Sequence, residues 1–406
     1  MISTDKRKTS RKMNRKIIPR IDTITSAAVT LFASTSAPAL AQYAFTKLVN
    51  FQPRRIPLVK TSIVRFWIGL VLIAAIGSSW RCAAAGVPIA GFSFGGADFV
   101  ENDSQQFVYV SSPLSNAVEV INANTLALVQ TISLNSSPDG IALSANGSSL
   151  YVCLPSSNSI AIINTQSFET TSTLASPSTS PTDVQIGTDN RLWVQDSTGI
   201  QQIDATTGIS TGPNVPVFVY SGIILTSPDG NSLYYSQYDL LNSSLYKFNV
   251  SGTQPKEVWT NEYGENGGDL ELSDDGSLLA RPSGNPYNMG IYNTSSGAII
   301  GSVGGSSSYY VDQFAFSPDD EYGYADGGGG ITSYSLSTFT AAGVIGSGYS
   351  SERLFVDSSG QYLFDGLEQG LAVYDTGRSV PEPATVFLLL IASVSLFMRR
   401  RRKQLA

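Results

Sequence analysis

The chain has 406 residues, no histidine, and 25 Lys and Arg against 32 Asp and Glu; without histidine, His-dependent triads and the usual zinc sites are excluded. Only six cations fall within residues 87–380 (Arg191, Lys247, Lys256, Arg281, Arg353 and Arg378), against 29 acids, so that stretch carries a formal −23. Such a surface repels phosphate backbones, and no nucleic-acid partner is expected.

The 37 glycines and 19 prolines punctuate the chain too often for a helical protein and suit many short strands with turns. Of the two cysteines, Cys82 falls in a leader segment and Cys153 in the apolar run "LYVC", where it reads as a small buried hydrophobe. No disulfide framework is expected.

Residues 1–20 hold eight cations, and a weakly apolar stretch follows that ends in Ala39-Leu40-Ala41. A better secretory signal comes after it. Lys60 and Arg65 precede the apolar centre Phe66–Gly77, and Ala83-Ala84-Ala85 offers the small residues that signal peptidase cleaves beside. Residues 59–86 therefore read as the signal peptide. Residues 1–58 read as a basic extension, an artefact of start-site choice if translation begins near Val59. Cys82 follows Ser79-Trp80-Arg81, which is no lipoprotein box.

Residues 87–378 repeat. "IALSANGSSLYV" (141–152), "IILTSPDGNSLYY" (224–235), "LELSDDGSLLA" (270–280) and "LFVDSSGQYLF" (354–364) each show an apolar alternation, a polar turn and a second apolar run. Period two marks half-buried strands, and Asp, Asn and Gly suit the tight connection. The first strands end near Glu101, Ser144, Gly187, Ser227, Ser273, Ser317 and Asp357, at spacings of 43, 43, 40, 46, 44 and 40. A third strand ("NAVEVINANT", 116–125) and a short outer one ("LVQTISL", 128–134) complete a unit. Four strands at this period spell an all-β propeller. Seven blades are expected; one misread unit would make six or eight. The seventh unit lacks an outer strand, and the surplus "IAGFSF" (89–94) is free to fill that place and close the ring.

The segments "FVYVSSPLSNAVEVINANT" and "PDGIALSANGSSLYVCLPSSNSIAIINTQS" resemble the YVTN-type repeats of lactonase-like seven-bladed propellers. That resemblance implies the fold. It does not choose between enzyme and binder, and the missing histidine weighs against hydrolase or lyase chemistry.

The carboxyl end, residues 379–406, has three parts. Val380-Pro381-Glu382-Pro383 comes first, then the 15-residue, mostly apolar run Ala384–Met398, then Arg399, Arg400, Arg401 and Arg402. As a helix the apolar run reaches about 22 Å, short of a hydrocarbon core about 30 Å thick. This order resembles the PEP-CTERM sorting signal of Gram-negative bacteria. The resemblance implies signal peptidase and an exosortase as processing partners, transient residence in the inner membrane, and delivery to the cell surface or an exopolysaccharide matrix. The arginines stay cytoplasmic, as cationic flanks do, and the Pro-Glu-Pro joint stays extended and accessible. A plain single-span anchor is the competing reading.

Chemistry is sparse. Asp274-Asp275-Gly276 and Asp319-Asp320-Glu321 invite a calcium reading, but neither has the alternating spacing of a calcium loop, and structural turns explain them. "GGGG" (327–330) lacks the Lys-Ser/Thr and helix of a phosphate cradle. No cofactor and no catalytic residue are expected. Trp259, Tyr263, Tyr309 and Tyr310, placed between outer strands and the following blades, are the candidate ligand contacts, since aromatic faces stack on sugars. An exported, non-enzymatic binding or scaffold protein is expected, with an exopolysaccharide or a surface protein as its partner. The rival is a lactonase-like or carbohydrate-active enzyme using Asp and Glu. Carboxylates converging with Arg at the channel mouth would favour the enzyme; Ser, Gly and small apolar residues there would favour the binder.

Overall fold

The computed structural model describes residues 86–378, apart from 176–179, 218–221, 239–242, 262–268, 284–286, 305–310, 328–329 and 347–350. The signal peptide with Ala83, Ala84 and Ala85, and the tail with Val380–Pro383 and Arg399–Arg402, lie outside the described residues. Among those described, no helix is long and apolar enough to cross a membrane.

Seven antiparallel sheets form seven blades. Strand β1 (Ala90–Phe92) comes first. Blade 1 is β2 (Asp98–Asn102), β3 (Phe107–Ser112), β4 (Ala117–Asn122) and β5 (Leu128–Ser133). Blade 2 is β6 (Ile141–Leu143), β7 (Ser149–Leu154), β8 (Ser159–Asn164) and β9 (Glu169–Ala175). Blade 3 has only β10 (Asp183–Ile186), β11 (Arg191–Asp196) and β12 (Gly199–Asp204), with a single bridge, Ile203 to Ser210, where an outer strand would lie. Blade 4 is β13 (Gly222–Thr226), β14 (Ser232–Gln237), β15 (Leu245–Asn249) and β16 (Lys256–Asn261). Blade 5 is β17 (Glu271–Leu272), β18 (Leu278–Ser283), β19 (Asn288–Asn293) and β20 (Ile299–Gly304). Blade 6 is β21 (Phe314–Phe316), β22 (Tyr322–Asp326), β23 (Ile331–Ser335) and β24 (Thr340–Val344). Blade 7 is β25 (Arg353–Val356), β26 (Tyr362–Leu367) and β27 (Gly370–Asp375), and β1 adds its outer edge.

The expected seven blades and the expected closure by the amino-terminal segment are both present. Strand β1 pairs Ala90 with Val373 and Phe92 with Leu371. Deleting residues 89–94 should therefore bare the edge of β27, lower the melting temperature by several degrees and cause association, because an unpaired edge templates another strand. Light scattering with a thermal melt checks this.

Burial explains why the middle strands read as apolar on both faces. Strands β3 and β4 are sandwiched between neighbouring blades and almost wholly buried, whereas β5 is exposed save for Ile132. Tyr109, Val118, Ile141, Leu150, Val152 and Ile163 pack between blades 1 and 2. Phe99, Val108, Val110, Phe364 and Val373 do the same across the ring closure. Burial of this apolar area, at about 25 cal/mol per Å², is what stacks one blade on the next. Cys153 belongs to the interior between blades 2 and 3; it is fully buried, and burial holds its thiol well above the usual value.

The inner turns share one device. In blade 4, Ser227 Oγ donates to Asp229 and accepts the N–H of Ser232 at 2.9 Å, closing a turn whose Gly230 takes φ 67°. Ser273 with Asp275 and Ser317 with Asp319 repeat it, so these acids hold turns. A threonine after the third strand then locks the turn: Thr165 to Gly147, Thr294 to Gly276 and Thr376 to Gly360, each hydroxyl donating to the glycine carbonyl at 2.6–2.7 Å.

Candidate functional site at the channel mouth

Each innermost strand starts at one end of the central axis and runs to its turn at the other. At the starting end one rung recurs in every blade. Asp98 stands opposite Ser111, Asp183 opposite Gln195, Ile223 opposite Ser236 and Arg353 opposite Gly366. Gly140 and Gln313 accept backbone bonds from Cys153 and Asp326 at the same level, and Asp269 stands two residues ahead of Glu271. The rung thus reads Asp, Gly, Asp, Ile, Asp, Gln, Arg around the ring. It encloses a cavity of about 210 Å³ to which all seven blades contribute.

The three aspartates of alternate blades tie their blade to the next. Asp98 Oδ2 accepts the N–H of Ile141 at 2.9 Å, Asp183 Oδ2 that of Ile224 at 3.0 Å, and Asp269 Oδ2 that of Phe314 at 3.0 Å. Other groups tie the remaining junctions. The N–H of Gly140 donates to the carbonyl of Thr182, Arg281 reaches Ser236 and the carbonyl of Ser243, and Asp326 accepts the N–H of Ser351. Arg353 completes the circle. Its guanidinium meets Asp98 of blade 1 at 3.7 Å, Glu271 of blade 5 at 3.3 Å, and Asp269 of blade 5 through Nη1. Buried backbone donors demand partners, so this acid-rich rung is built into the ring.

The electrostatics follow from burial around one cation. Burial pushes the Asp183 carboxyl up to about 7, with Asp98 adding to it. It also raises Asp98, against the pull of Arg353, and raises Glu271. Asp139 is raised to about 6 by burial and by Asp98, and its carboxylate accepts no hydrogen bond among the described residues. For Arg353 burial acts downward, but Asp269, Glu271 and Asp98 outweigh it and hold the guanidinium above its ordinary value. Gln313 Oε1 is buried without a partner. The mouth is therefore rich in acceptors, and its one guanidinium is already engaged. Among the described residues no group of three or more His, Cys, Asp or Glu is arranged to hold a metal ion.

Of the aromatic candidates, Tyr263, Tyr309 and Tyr310 lie outside the described residues. Trp259 lies within β16, not in the loop beyond it. Its indole N–H donates to the carbonyl of Thr294 at 3.0 Å and its ring sits 6.3 Å from that of Tyr234, between blades 4 and 5. None of the mouth residues stands out in the chain by itself. Their signal is an Asp at the start of the innermost run of units 1, 3 and 5, at 98, 183 and 269, with Arg at the matching place of the seventh.

No family model matches the chain, and no curated protein does. Solved structures match at low identity. Kuenenia stuttgartiensis hydrazine synthase superposes with a TM-score of 0.58 at 15% identity, covering 73% of this chain and 98% of that one. A chain of the mitotic checkpoint complex gives 0.60 at 15%, covering 73% and 93%. The Myceliophteria thermophila Cps50 (Swd1) β-propeller domain gives 0.60 at 10%, covering 72% and 99%. These likenesses show the propeller fold and nothing more specific.

Proposed function

We propose that this is an exported propeller, carried to the cell surface or an exopolysaccharide matrix by its signal peptide and PEP-CTERM tail, which acts there as a non-enzymatic binding or scaffold module through its channel mouth. The observation that carries binding over catalysis is the commitment of the mouth acids: Asp98, Asp183 and Asp269 each hold a backbone N–H of the next blade, and Arg353 is spent on three carboxylates. Among the described residues the mouth acceptors that stay open include Asp139, Glu352 and Gln313 Oε1. They suit a ligand that brings N–H donors, an ammonium best, into a negative recess.

One observation favours the rival enzyme. Carboxylates do converge with Arg at the mouth, and Asp183 near 7 has the proton affinity of a general acid. Titration with putrescine and turnover assays on lactones and aryl glycosides separate the two. We expect saturable, salt-sensitive diamine binding that Asp139→Asn weakens about tenfold, as loss of one charge-assisted bond does, and no turnover. Turnover abolished by Asp183→Asn would establish the enzyme instead. For the sorting step, the intact mass of surface material should lack Arg399–Ala406; a mass that includes them would defeat processing.

A further inference from the structure

The opposite end of the blades carries a second recess, which does not depend on the reading of the mouth. It runs across blade 3, between the inner turns of blades 2 and 4, with a volume of about 750 Å³. Its cause is local. Between the paired residues Leu143 and Leu150 the turn of blade 2 has six residues, as it does between Thr226 and Leu233 in blade 4. In blade 3, Ile186 and Leu192 are joined by five, through a turn that holds Asp189 and Asn190 at φ 58° each. Ala205 stands where Thr165, Thr294 and Thr376 supply the turn-locking hydroxyl in other blades. A short, unlocked turn leaves a notch between two full ones.

The notch exposes a mismatch between repeats. Tyr109 and Tyr151 occupy the same rung of blades 1 and 2, opposite Val100 and Ala142. The Tyr109 hydroxyl is met by Gln105 at 3.2 Å and by the carbonyl of Thr165 at 3.4 Å. Tyr151 is only 6% exposed and lines the notch, yet its hydroxyl has no hydrogen-bond partner among the described residues. The buried indole N–H of Trp193 is likewise unpaired among the described residues; it lies behind the notch lining, beneath Gly187, where an added Cβ would meet it at 2.8 Å. A polar group without a partner on the wall of a recess can gain a hydrogen bond from a molecule that enters it, and Tyr151 is the one of the two that lines the notch.

We propose that this notch binds a neutral saccharide unit. Leu143, Ile186, Leu192 and Ala205 give an apolar floor for the C–H face of a sugar ring, and Asn146 and Asp189 on the rim match its hydroxyl edge. The ring of Tyr151 adds an aromatic wall and its free hydroxyl a donor. Anionic ligands are disfavoured. Asp189 and Asp229 line the notch, and its one cation, Arg191, is pinned to the carbonyls of Val250 and Gly252 at 3.2 and 2.9 Å.

Calorimetric titration of the full-length chain with maltose, cellobiose and lactose tests this. Saturable binding in the millimolar range is expected for at least one. Tyr151→Phe keeps the packed ring and should weaken it about tenfold, as loss of one buried hydrogen bond does. Asp189→Gly relieves the positive φ while removing the carboxylate and should weaken it likewise, with no loss of thermal stability. Absence of saturable binding to any of the three sugars would overturn the proposal. So would binding that both variants leave unchanged, an outcome that would place the sugar elsewhere and leave the diamine test of the mouth untouched.

Discussion

Arg353→Met should cost the fold about 3 kcal/mol and lower the melting temperature by roughly 6–10 °C at neutral pH. The arginine is the one guanidinium for Asp98, Asp269 and Glu271, and Asp269 is 1% exposed. Methionine matches its length and removes its charge, which leaves buried carboxylates facing one another across the axis. Breaking a buried pair on one side is far more damaging than replacing both partners, because the survivor stays desolvated. The loss reaches three blades at once, since the same guanidinium joins blade 7 to blade 1 and to blade 5. Arg353→Lys should recover only part of the stability. An ammonium is a point charge and cannot satisfy three carboxylates with the planar fork they now share. Calorimetric melts of the three chains decide the matter. If the methionine variant melted within a degree or two of the parent, the ring would not need its cation, and Arg353 would be better understood as a ligand-binding group.

Much of this architecture was legible before any coordinates. The polar turns recur because each must reverse the chain between two buried strands, and Ser-x-Asp or Ser-x-Asn followed by a glycine does so locally. Ser227-Pro228-Asp229-Gly230 and Ser273-Asp274-Asp275-Gly276 announce themselves without knowledge of any other blade. The closing strand was legible for the same reason, as one strand short at the end and one spare at the start. The site was not. Asp98 and Asp269 bond inside their own turns of chain like many other aspartates. What makes them a mouth is radial placement, and the contact between Arg353 and Asp269 spans 84 residues. Only a repeat-aligned view, with acids at the same rung of blades 1, 3 and 5, brings them together. Trp259 erred in the other direction. It reads in the sequence as lying between the outer strand and the following blade, but the outer strand of blade 4 runs through it and Thr294 takes its N–H. The notch beside blade 3 lay deeper still, since it comes from an inner turn one residue shorter than those of the other units.

The same buried acids should make this protein more stable at pH 5 than at pH 8, with a melting temperature several degrees higher on the acid side. Burial raises Asp183 and Asp365 to about 7, from an ordinary 3.8. Glu101 likewise stands near 7 and Asp139 near 6, both lifted first by burial. A carboxyl whose pKa is raised on folding binds its proton more tightly in the native state. Its stabilising contribution is complete below the unfolded value, near pH 4, and is lost as pH climbs through 6 and 7. Asp204, Asp229 and Asp275 oppose this, because hydrogen bonds from their turns lower them. Their contribution is present above the unfolded value and fades only below about pH 4. The two sets together place the optimum between pH 4 and 6. Asp183→Asn isolates the cause. Asparagine keeps an oxygen for the N–H of Ile224 and removes the charge, so the variant should gain about 1–2 kcal/mol at pH 8 and nothing at pH 4. Its melting profile should accordingly be flatter than the parent's. A parent chain that melted lower at pH 5 than at pH 8 would mean that water reaches these carboxylates freely. The mouth would then be a hydrated anionic surface rather than a recess that holds protons.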